Sequence, residues 1–279
     1  MVIKMTKQEL STEVVQDSTF ENMIANAIKL PGVKVNRTEF LTEMFGNHVF
    51  DLQEILDVGP VQAKCPKEIL ERMADDVITK RTSQSTIVSF AAGIPGGLAM
   101  AATIPADTLQ FLGVALRMAQ EISYLYGGRD LWKDGEVDSE QVRSQLILFI
   151  GVMFGVADAS AVVRLLYAQI AQQALMVIPE KVLPRVILYP IVKQIGKRIG
   201  VKISRAGVSK GISKVVPLVG GLISGGMTYA TMKPMGKRLA KILHEVKFEY
   251  TEEQIQKDCL MIEELKKSQE DINSSQTNF

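Results

Sequence analysis

Four polar side chains beside the most apolar part of the chain have the types and spacing to do chemistry. They are Asp107, Gln110, Arg117 and Glu121, and they lie in one helical pattern that follows Pro105. Arg117 and Glu121 form an i,i+4 pair on one helix face. In an apolar site, Asp107 and Glu121 could act as general acid and base on a lipid-like substrate. Because isolated buried charges are costly, the four residues also fit a structural polar network, which is the interpretation we favour.

Other catalytic and cofactor chemistry has little support in the sequence. His48 and His244 are the only histidines, which nearly excludes a histidine-based triad or a histidine-rich metal site. Gly-Lys occurs at 196–197 and 236–237, but neither pair is followed by the Ser or Thr of a phosphate-binding loop. We therefore expect no catalytic residue, no metal and no cofactor.

A basic segment, residues 181–247, is the strongest indication of a partner. It carries 14 Lys and Arg against one acidic residue, whereas residues 1–140 carry 13 against 20. Within it, isoleucines recur every four residues among four cations, as in a helix at a membrane interface. The four cations are Lys193, Lys197, Arg198 and Lys202. We expect them to bind anionic lipid or a membrane protein, although they could instead cover the acidic N-terminal part of the chain. The scarcity of aromatic residues argues against nucleic acid.

Glycine pairs at a spacing of four mark three uncharged runs, residues 82–106, 144–157 and 215–232. On a helix, such a pair forms a flat groove where another backbone can approach closely. The pairs are Gly93 with Gly97, Gly151 with Gly155, and Gly221 with Gly225. Prolines and further glycines argue against straight spanning helices. We expect broken helices that pack in a bundle or insert into a membrane as hairpins.

Apolar residues recur mostly at three- and four-residue steps, which predicts an all-α, multi-helix bundle. The divisions that we predict are a flexible N-terminus (1–17), an N-terminal helical subdomain (18–80), a helical core (81–267) and a disordered tail (268–279). Within the core, the pattern predicts one helix from Thr108 to Tyr126 and strongly helical sequence from Ser139 to about Ile178.

Two stretches of the core resemble the bacterial EcsC family, which is related to the hydrophobic C-terminal domain of some Era-like GTPases. The first is IPGGLAMAATIPADTLQFLGVALRMAQEISYLYGGRDLW, where the resemblance is carried by Gly96, Pro105, Asp107, Gln110, Arg117, Glu121, Tyr126 and Gly127. The second is VVPLVGGLISGGMTYATMKPMGKRLAKIL, where it is carried by Pro217, Gly220, Gly225, Thr231 and Gly236. With KLPGVKVNRTEFL, they extend the resemblance over roughly residues 28–245. It implies an all-α bacterial protein, cytoplasmic or peripheral to the membrane, and some family members accompany an ABC transporter and influence secretion. It brings no established catalytic residues.

We expect a non-enzymatic, membrane-associated protein at the inner face of the cell membrane, linked to transport or secretion. The polar N-terminus has no apolar signal region, and Cys65 and Cys259 are far apart, which is typical of a reduced intracellular protein. Two alternatives remain. One is a soluble regulatory adaptor of a transporter, and the other is a lipid-directed enzyme that uses Asp107 and Glu121. The sequence does not indicate the oligomeric state.

Overall fold

The computed structural model describes residues 20–87, 106–132, 140–171, 187–196 and 225–277. These residues form ten helices and no strand, so the all-α prediction is confirmed for them. In chain order the helices are α1 (20–28), α2 (Arg37–Phe45), α3 (Leu52–Val58), α4 (Lys67–Ile87), α5 (Ala106–Leu125), α6 (Glu140–Met153), α7 (Ala157–Ala171), α8 (187–196), α9 (Gly225–Phe248) and α10 (Glu252–Thr277).

Local side-chain caps explain where several helices begin. The Asn36 side chain accepts a hydrogen bond from the Glu39 N–H at 3.0 Å, and Asp51 caps α3 in the same way. Before α10, the Thr251 hydroxyl accepts from the Gln254 N–H at 3.3 Å, and the Gln254 side chain accepts from the Thr251 N–H at 3.0 Å. Each cap satisfies backbone donors that have no partner within the helix.

A glycine divides the helical stretch that the sequence predicts over 139–178. Gly155 adopts φ +77°, a conformation that costs little without a Cβ. The Val156 N–H donates to the Gly151 carbonyl at 2.9 Å, and the Gly155 N–H donates to the Val152 carbonyl at 2.8 Å. This pair of bonds is a Schellman motif, which ends α6 and lets α7 leave in a new direction.

Four helices, α4, α5, α6 and α7, pack around α9. Its buried side chains recur at three- and four-residue steps: Met232, Met235, Leu239 and Leu243. A Cβ added at Gly236 would lie 2.8 Å from Ile78 and 2.9 Å from the sulfur of Met118. Glycine at this position therefore allows α9 to approach α4 and α5 closely.

The predicted boundary between subdomain and core falls inside a helix. Residue 80 lies within α4, which packs against both α5 and α9. Buried side chains from Phe20 to Ile262 form one core. α2 packs against α3 and α5, and α10 packs against α7, so helices from both predicted regions share that core.

The structure tests only some of the predictions for the chain ends and the uncharged runs. α10 continues to Thr277 across most of the predicted disordered tail, where 268–277 contains neither Gly nor Pro to end a helix. The predicted flexible N-terminus, 1–17, is not among the described residues, and neither are 88–105 and 215–224 of the uncharged runs. Of the helices that the structure describes, none is both long enough and apolar enough to cross a bilayer.

Candidate functional site

A basic groove lies on the exposed side of α9. Pro234 is inside this helix and exposed, and its ring nitrogen has no N–H to donate to the carbonyl of Ala230 one turn earlier. The proline ring also crowds that carbonyl. A depression of about 520 Å³ lies along this part of the helix. We define the basic groove by its lining residues: Ala230, Lys233, Pro234, Lys237, Arg238 and Lys241.

Four of these six lining residues are cations, and none is acidic. Lys233, Lys237 and Lys241 follow one another at four-residue steps and therefore share a helix face. The Arg238 Nη1 donates to the Met153 carbonyl at 2.8 Å, which ties this side of the groove to the end of α6. The arrangement concentrates positive charge over an apolar floor and suits an anion.

Two of the groove lysines pair with acidic side chains that water can still reach. Lys237 Nζ lies 3.8 Å from Asp75 Oδ2, and Lys241 Nζ lies 3.6 Å from Glu245 Oε1. Exposed pairs of this kind contribute about 0–1 kcal/mol each. An anionic ligand in the groove can therefore compete for both lysines.

Next to the basic groove, and sharing Lys237 and Lys241 with it, lies an acidic cleft of about 860 Å³, which we call the α4–α9 cleft. Its acidic lining residues are Glu68, Glu71, Asp75, Asp76, Glu245 and Glu249. Its basic lining residues are Arg72, Lys237 and Lys241. Six acids against three Lys and Arg give these residues a formal charge of −3, whereas the lining of the basic groove contains no acid.

His244 lines the cleft and is buried, with 8% of its surface exposed. Its Nε2 lies 3.2 Å from Glu71 Oε1 and 3.9 Å from Glu249 Oε1. The Tyr126 ring contacts the imidazole edge-on at 6.0 Å between centroids. Burial raises the pKa of Tyr126, and the negative charges of Glu71 and Asp75 raise it further.

The structure describes one of the four cations that the sequence predicted to bind lipid. Lys193 lies on α8 and is partly buried. The other three, Lys197, Arg198 and Lys202, lie outside the described ranges. The isoleucines of α8 do not face a membrane, because Ile191 and Ile195 are fully buried in the core.

Two of the four polar residues predicted on α5 meet in a buried ion-pair group, which we call the Glu121 cluster (Arg81, Arg117 and Glu121). Arg117 Nε donates to Glu121 Oε1 at 3.1 Å. Arg81, which the sequence did not single out, donates through Nε to Glu121 Oε2 at 2.6 Å and through Nη2 to Oε1. Gln110 is partly buried on the same helix, and the side chain of Asp107 is not described.

This geometry does not favour Glu121 as a catalytic acid or base. The carboxylate is 1% exposed, and both of its oxygens accept hydrogen bonds from guanidinium groups. A general base must instead reach the proton that it removes. Within the described parts of the chain, no three His, Cys, Asp or Glu side chains converge as a metal site.

Gln120 is a second buried polar residue that sequence reasoning missed. Its Nε2 donates to the Val33 carbonyl at 2.9 Å, and its Oε1 accepts from the Val35 N–H at 3.2 Å. The Trp132 indole donates to the same oxygen at 2.8 Å. One amide therefore fastens the segment before α2 and the segment after α5 to the core. In the sequence, the only indication of this role is that a single glutamine lies on an apolar helix face.

A third polar group, the Asp258 cluster (Arg164, Asp258 and Tyr250), joins α7 to α10. Arg164 Nε and Nη2 donate to the two carboxylate oxygens at 2.6 and 2.7 Å. The Tyr250 hydroxyl donates to Asp258 Oδ2 at 2.8 Å. The hydrogen bond with Asp258 raises the pKa of Arg164, so the guanidinium keeps its charge.

The predicted packing glycines divide into three groups. A Cβ at Gly151 would lie 2.6 Å from the Ala159 Cβ, so this glycine permits close packing of α6 on α7. Gly155 lies beyond the end of α6, and the pair therefore does not form a groove on one helix. Gly225 is the first residue of α9. The remaining three, Gly93, Gly97 and Gly221, are not described.

The groove cations were only partly recognised in the sequence. They belong to the basic segment 181–247, but the predicted binding residues were placed earlier in that segment. The four-residue spacing from Lys233 to Lys241, with Pro234 between them, is the signal that could have identified the groove. No family model, curated protein or solved structure matches this chain.

Proposed function

We propose that this chain is a non-enzymatic, membrane-associated helical protein that binds anionic lipid headgroups through the basic groove of α9. The observation that carries the proposal is the concentration of four cations around Pro234, with no acid among the lining residues. A Lys or Arg close to an anionic membrane contributes about 1 kcal/mol to binding. Four such groups suffice for reversible attachment, and salt should weaken it.

The wider sequence supports the same location for the protein. The basic segment adds ten further Lys and Arg to the four in the groove, and we extend the binding surface to Lys193, Lys197, Arg198 and Lys202. The resemblance to the EcsC family supports a bacterial protein at the inner face of the cell membrane, linked to transport or secretion. Its glycine- and proline-broken apolar runs would pack as a bundle or insert as hairpins.

Vesicle flotation tests the lipid proposal. Wild-type protein is mixed with vesicles of phosphatidylcholine alone, or of phosphatidylcholine with phosphatidylglycerol. We expect flotation with the anionic vesicles only. Replacing the groove lysines by glutamine, as K233Q/K237Q/K241Q, should weaken binding by about 10- to 100-fold.

A matched control removes the same charge elsewhere. Lys29, Lys67 and Lys257 are exposed on other parts of the chain, and K29Q/K67Q/K257Q should bind as wild type does. A separate variant, K193Q/K197Q/R198Q/K202Q, tests the cations predicted from the sequence. Equal recovery with neutral and anionic vesicles would contradict the proposal. No recovery with either vesicle would favour the soluble adaptor.

A further inference from the structure

Two rows of opposite charge lie side by side on α4 and α9. Between residues 68 and 76, α4 exposes four acids and one base: Glu68, Glu71, Arg72, Asp75 and Asp76. The neighbouring row on α9 is the basic groove, whose lining contains four cations and no acid. The rows adjoin, because Lys237 Nζ lies 3.8 Å from Asp75 Oδ2. We call the acidic row and the basic groove together the α4–α9 face.

The charges of this face restrict the protein partners that can cover it. Four acids and one base give the acidic row a formal charge of −3, and four cations give the basic groove a formal charge of +4. A protein surface that covers both rows must therefore carry both signs, with its negative row opposite α9 and its positive row opposite α4.

A second copy of the chain carries the same two rows and can present them in exchanged positions. A two-fold axis that passes between α4 and α9, along the direction of both helices, places α9 of one copy over α4 of the other. Each residue keeps its level along this axis. Lys237 of one copy then meets Asp75 of the second copy. Lys241 lies between the levels of Asp75 and Glu71, because the Glu71 carboxylate contacts His244 at 3.2 Å.

The other two-fold arrangement is disfavoured by charge. An axis perpendicular to the helices would place α4 against α4 and α9 against α9. Like charges would then face each other in both rows, which is unfavourable. The charge pattern therefore favours the arrangement that exchanges the rows.

The dimensions of the face indicate a weak interface. With the following turns of α9 up to Glu249, the face is about 28 Å long, and two packed helices are about 20 Å wide. It covers roughly 500–600 Å² per copy, below the roughly 800 Å² of a standard stable interface. Pro234 and Phe248 are exposed on α9 and add apolar area.

We propose that the chain forms a symmetric dimer through the α4–α9 face, with the basic groove of each copy against the acidic row of the other. The proposal does not rest on lipid binding, and its tests contain no lipid, so its failure leaves the lipid proposal intact. A dimer covers the groove lysines, and an anionic membrane therefore competes with the second copy for the same cations.

Sedimentation velocity of the full chain measures the dimer directly. We expect a monomer–dimer equilibrium with a Kd on the order of 10–100 μM in about 0.05 M salt. In about 0.5 M salt the chain should be mostly monomeric, because salt screens exposed charges. A chain that stays monomeric at every concentration in low salt would overturn the proposal.

A charge exchange tests which rows meet. K237E/K241E and E71K/D75K reverse the central charges of the basic groove and of the acidic row. All four side chains are more than half exposed, so both variants should fold. Each variant alone opposes like charges and should self-associate at least about tenfold more weakly than wild type. An equimolar mixture should restore the dimer, because the reversed groove of one variant faces the reversed row of the other.

Matched variants control for net charge. K29E/K257E and E263K/E264K make the same changes in net charge at exposed positions outside the face, and both should dimerise as wild type does. Equal losses in the controls, or a mixture of the two face variants that stays monomeric, would overturn the proposal. A dimer that neither face variant weakens would also overturn it, because another surface would then form the contact.

Discussion

The Glu121 cluster and the Asp258 cluster are both buried groups of arginine and carboxylate, yet they differ in charge and enclosure. In the first, between α4 and α5, one carboxylate that is 1% exposed meets two guanidinium groups, and the Arg81 side chain is 9% exposed. In the second, between α7 and α10, one carboxylate meets one guanidinium and a hydroxyl, and the Arg164 side chain is 21% exposed. The first therefore depends on a single negative charge, whereas the second is balanced.

This difference predicts which substitutions the fold tolerates least. Removing Glu121 leaves two positive groups together, one of them almost without water. Removing Asp258 leaves one guanidinium that can still reach solvent. An uncompensated buried charge is more costly than the loss of the attraction itself. The predictions below begin with the largest expected loss of stability, at Glu121, and end with the smallest, at Glu43.

The substitution Glu121→Gln should cause the largest loss of stability. It preserves the side-chain shape but removes the only negative charge of its cluster, and we expect the free energy of unfolding to fall by about 3–5 kcal/mol. Urea unfolding followed by circular dichroism measures this value. If the variant does not fold, R81M/E121L should restore folding, because it removes the buried carboxylate and guanidinium together. A loss below about 1 kcal/mol would contradict the ordering.

Asp258→Asn should have a smaller effect, about 2–3 kcal/mol, because Arg164 can turn towards water and the amide can still accept one hydrogen bond. Tyr250→Phe, in the same cluster, removes one hydroxyl donor and should cost about 0.5–1.5 kcal/mol. Both values come from the same urea titration. If Asp258→Asn lowered the free energy of unfolding as much as Glu121→Gln does, the balance of charge within a cluster would not determine how much the cluster contributes to stability.

Helix positions were predictable from the sequence because their signals are local. Apolar spacing over 67–85 and the polar residue Asp51 indicate α4 and the start of α3 without knowledge of the fold. The break at Gly155 was not predictable from the sequence. A glycine within an apolar run can lie inside a closely packed helix, or it can adopt the left-handed conformation that ends a helix. Tertiary packing decides between them. The close approach of Ala159 to Gly151 places α7 against α6.

The polar groups were predictable only within one helix. The spacing of Arg117 and Glu121 indicates their contact directly. Arg81 is 40 residues from Glu121, and its role depends on how α4 packs against α5. The same reason explains the basic groove. The sequence shows many cations, but the Arg238 contact with the Met153 carbonyl and the shape around Pro234 depend on the folded neighbours of α9.

Lys247 provides a test by pH, since it is a partly buried cation that forms no ion pair with a carboxylate among the described residues. Its Nζ donates to the Tyr167 carbonyl at 2.9 Å, and burial lowers the pKa of Lys247 to about 8 from 10.5. Between these values the unfolded state binds more protons, so stability should rise with pH. From about pH 7 to 9.5, the contribution of Lys247 to the free energy of unfolding should increase by about 1–2 kcal/mol. Lys247→Met, measured by urea unfolding at each pH, provides the reference. A constant or falling difference between wild type and variant would contradict this sign.

The smallest effect should come from Glu43→Gln, the same chemical change as Glu121→Gln at an exposed position. Glu43 Oε1 lies 3.0 Å from Lys80 Nζ, with 65% of the Glu43 side chain exposed. The hydrogen bond with Lys80 lowers the pKa of Glu43, so the pair stabilises the fold near neutral pH and is lost in acid. Water screens the pair, and we expect urea unfolding to show a loss of about 0–1 kcal/mol. A loss of stability comparable to that of Glu121→Gln would mean that burial does not determine how much each carboxylate contributes to the stability of the fold. Because the substitution is identical at both positions, the difference between the two losses measures the effect of the environment on one carboxylate.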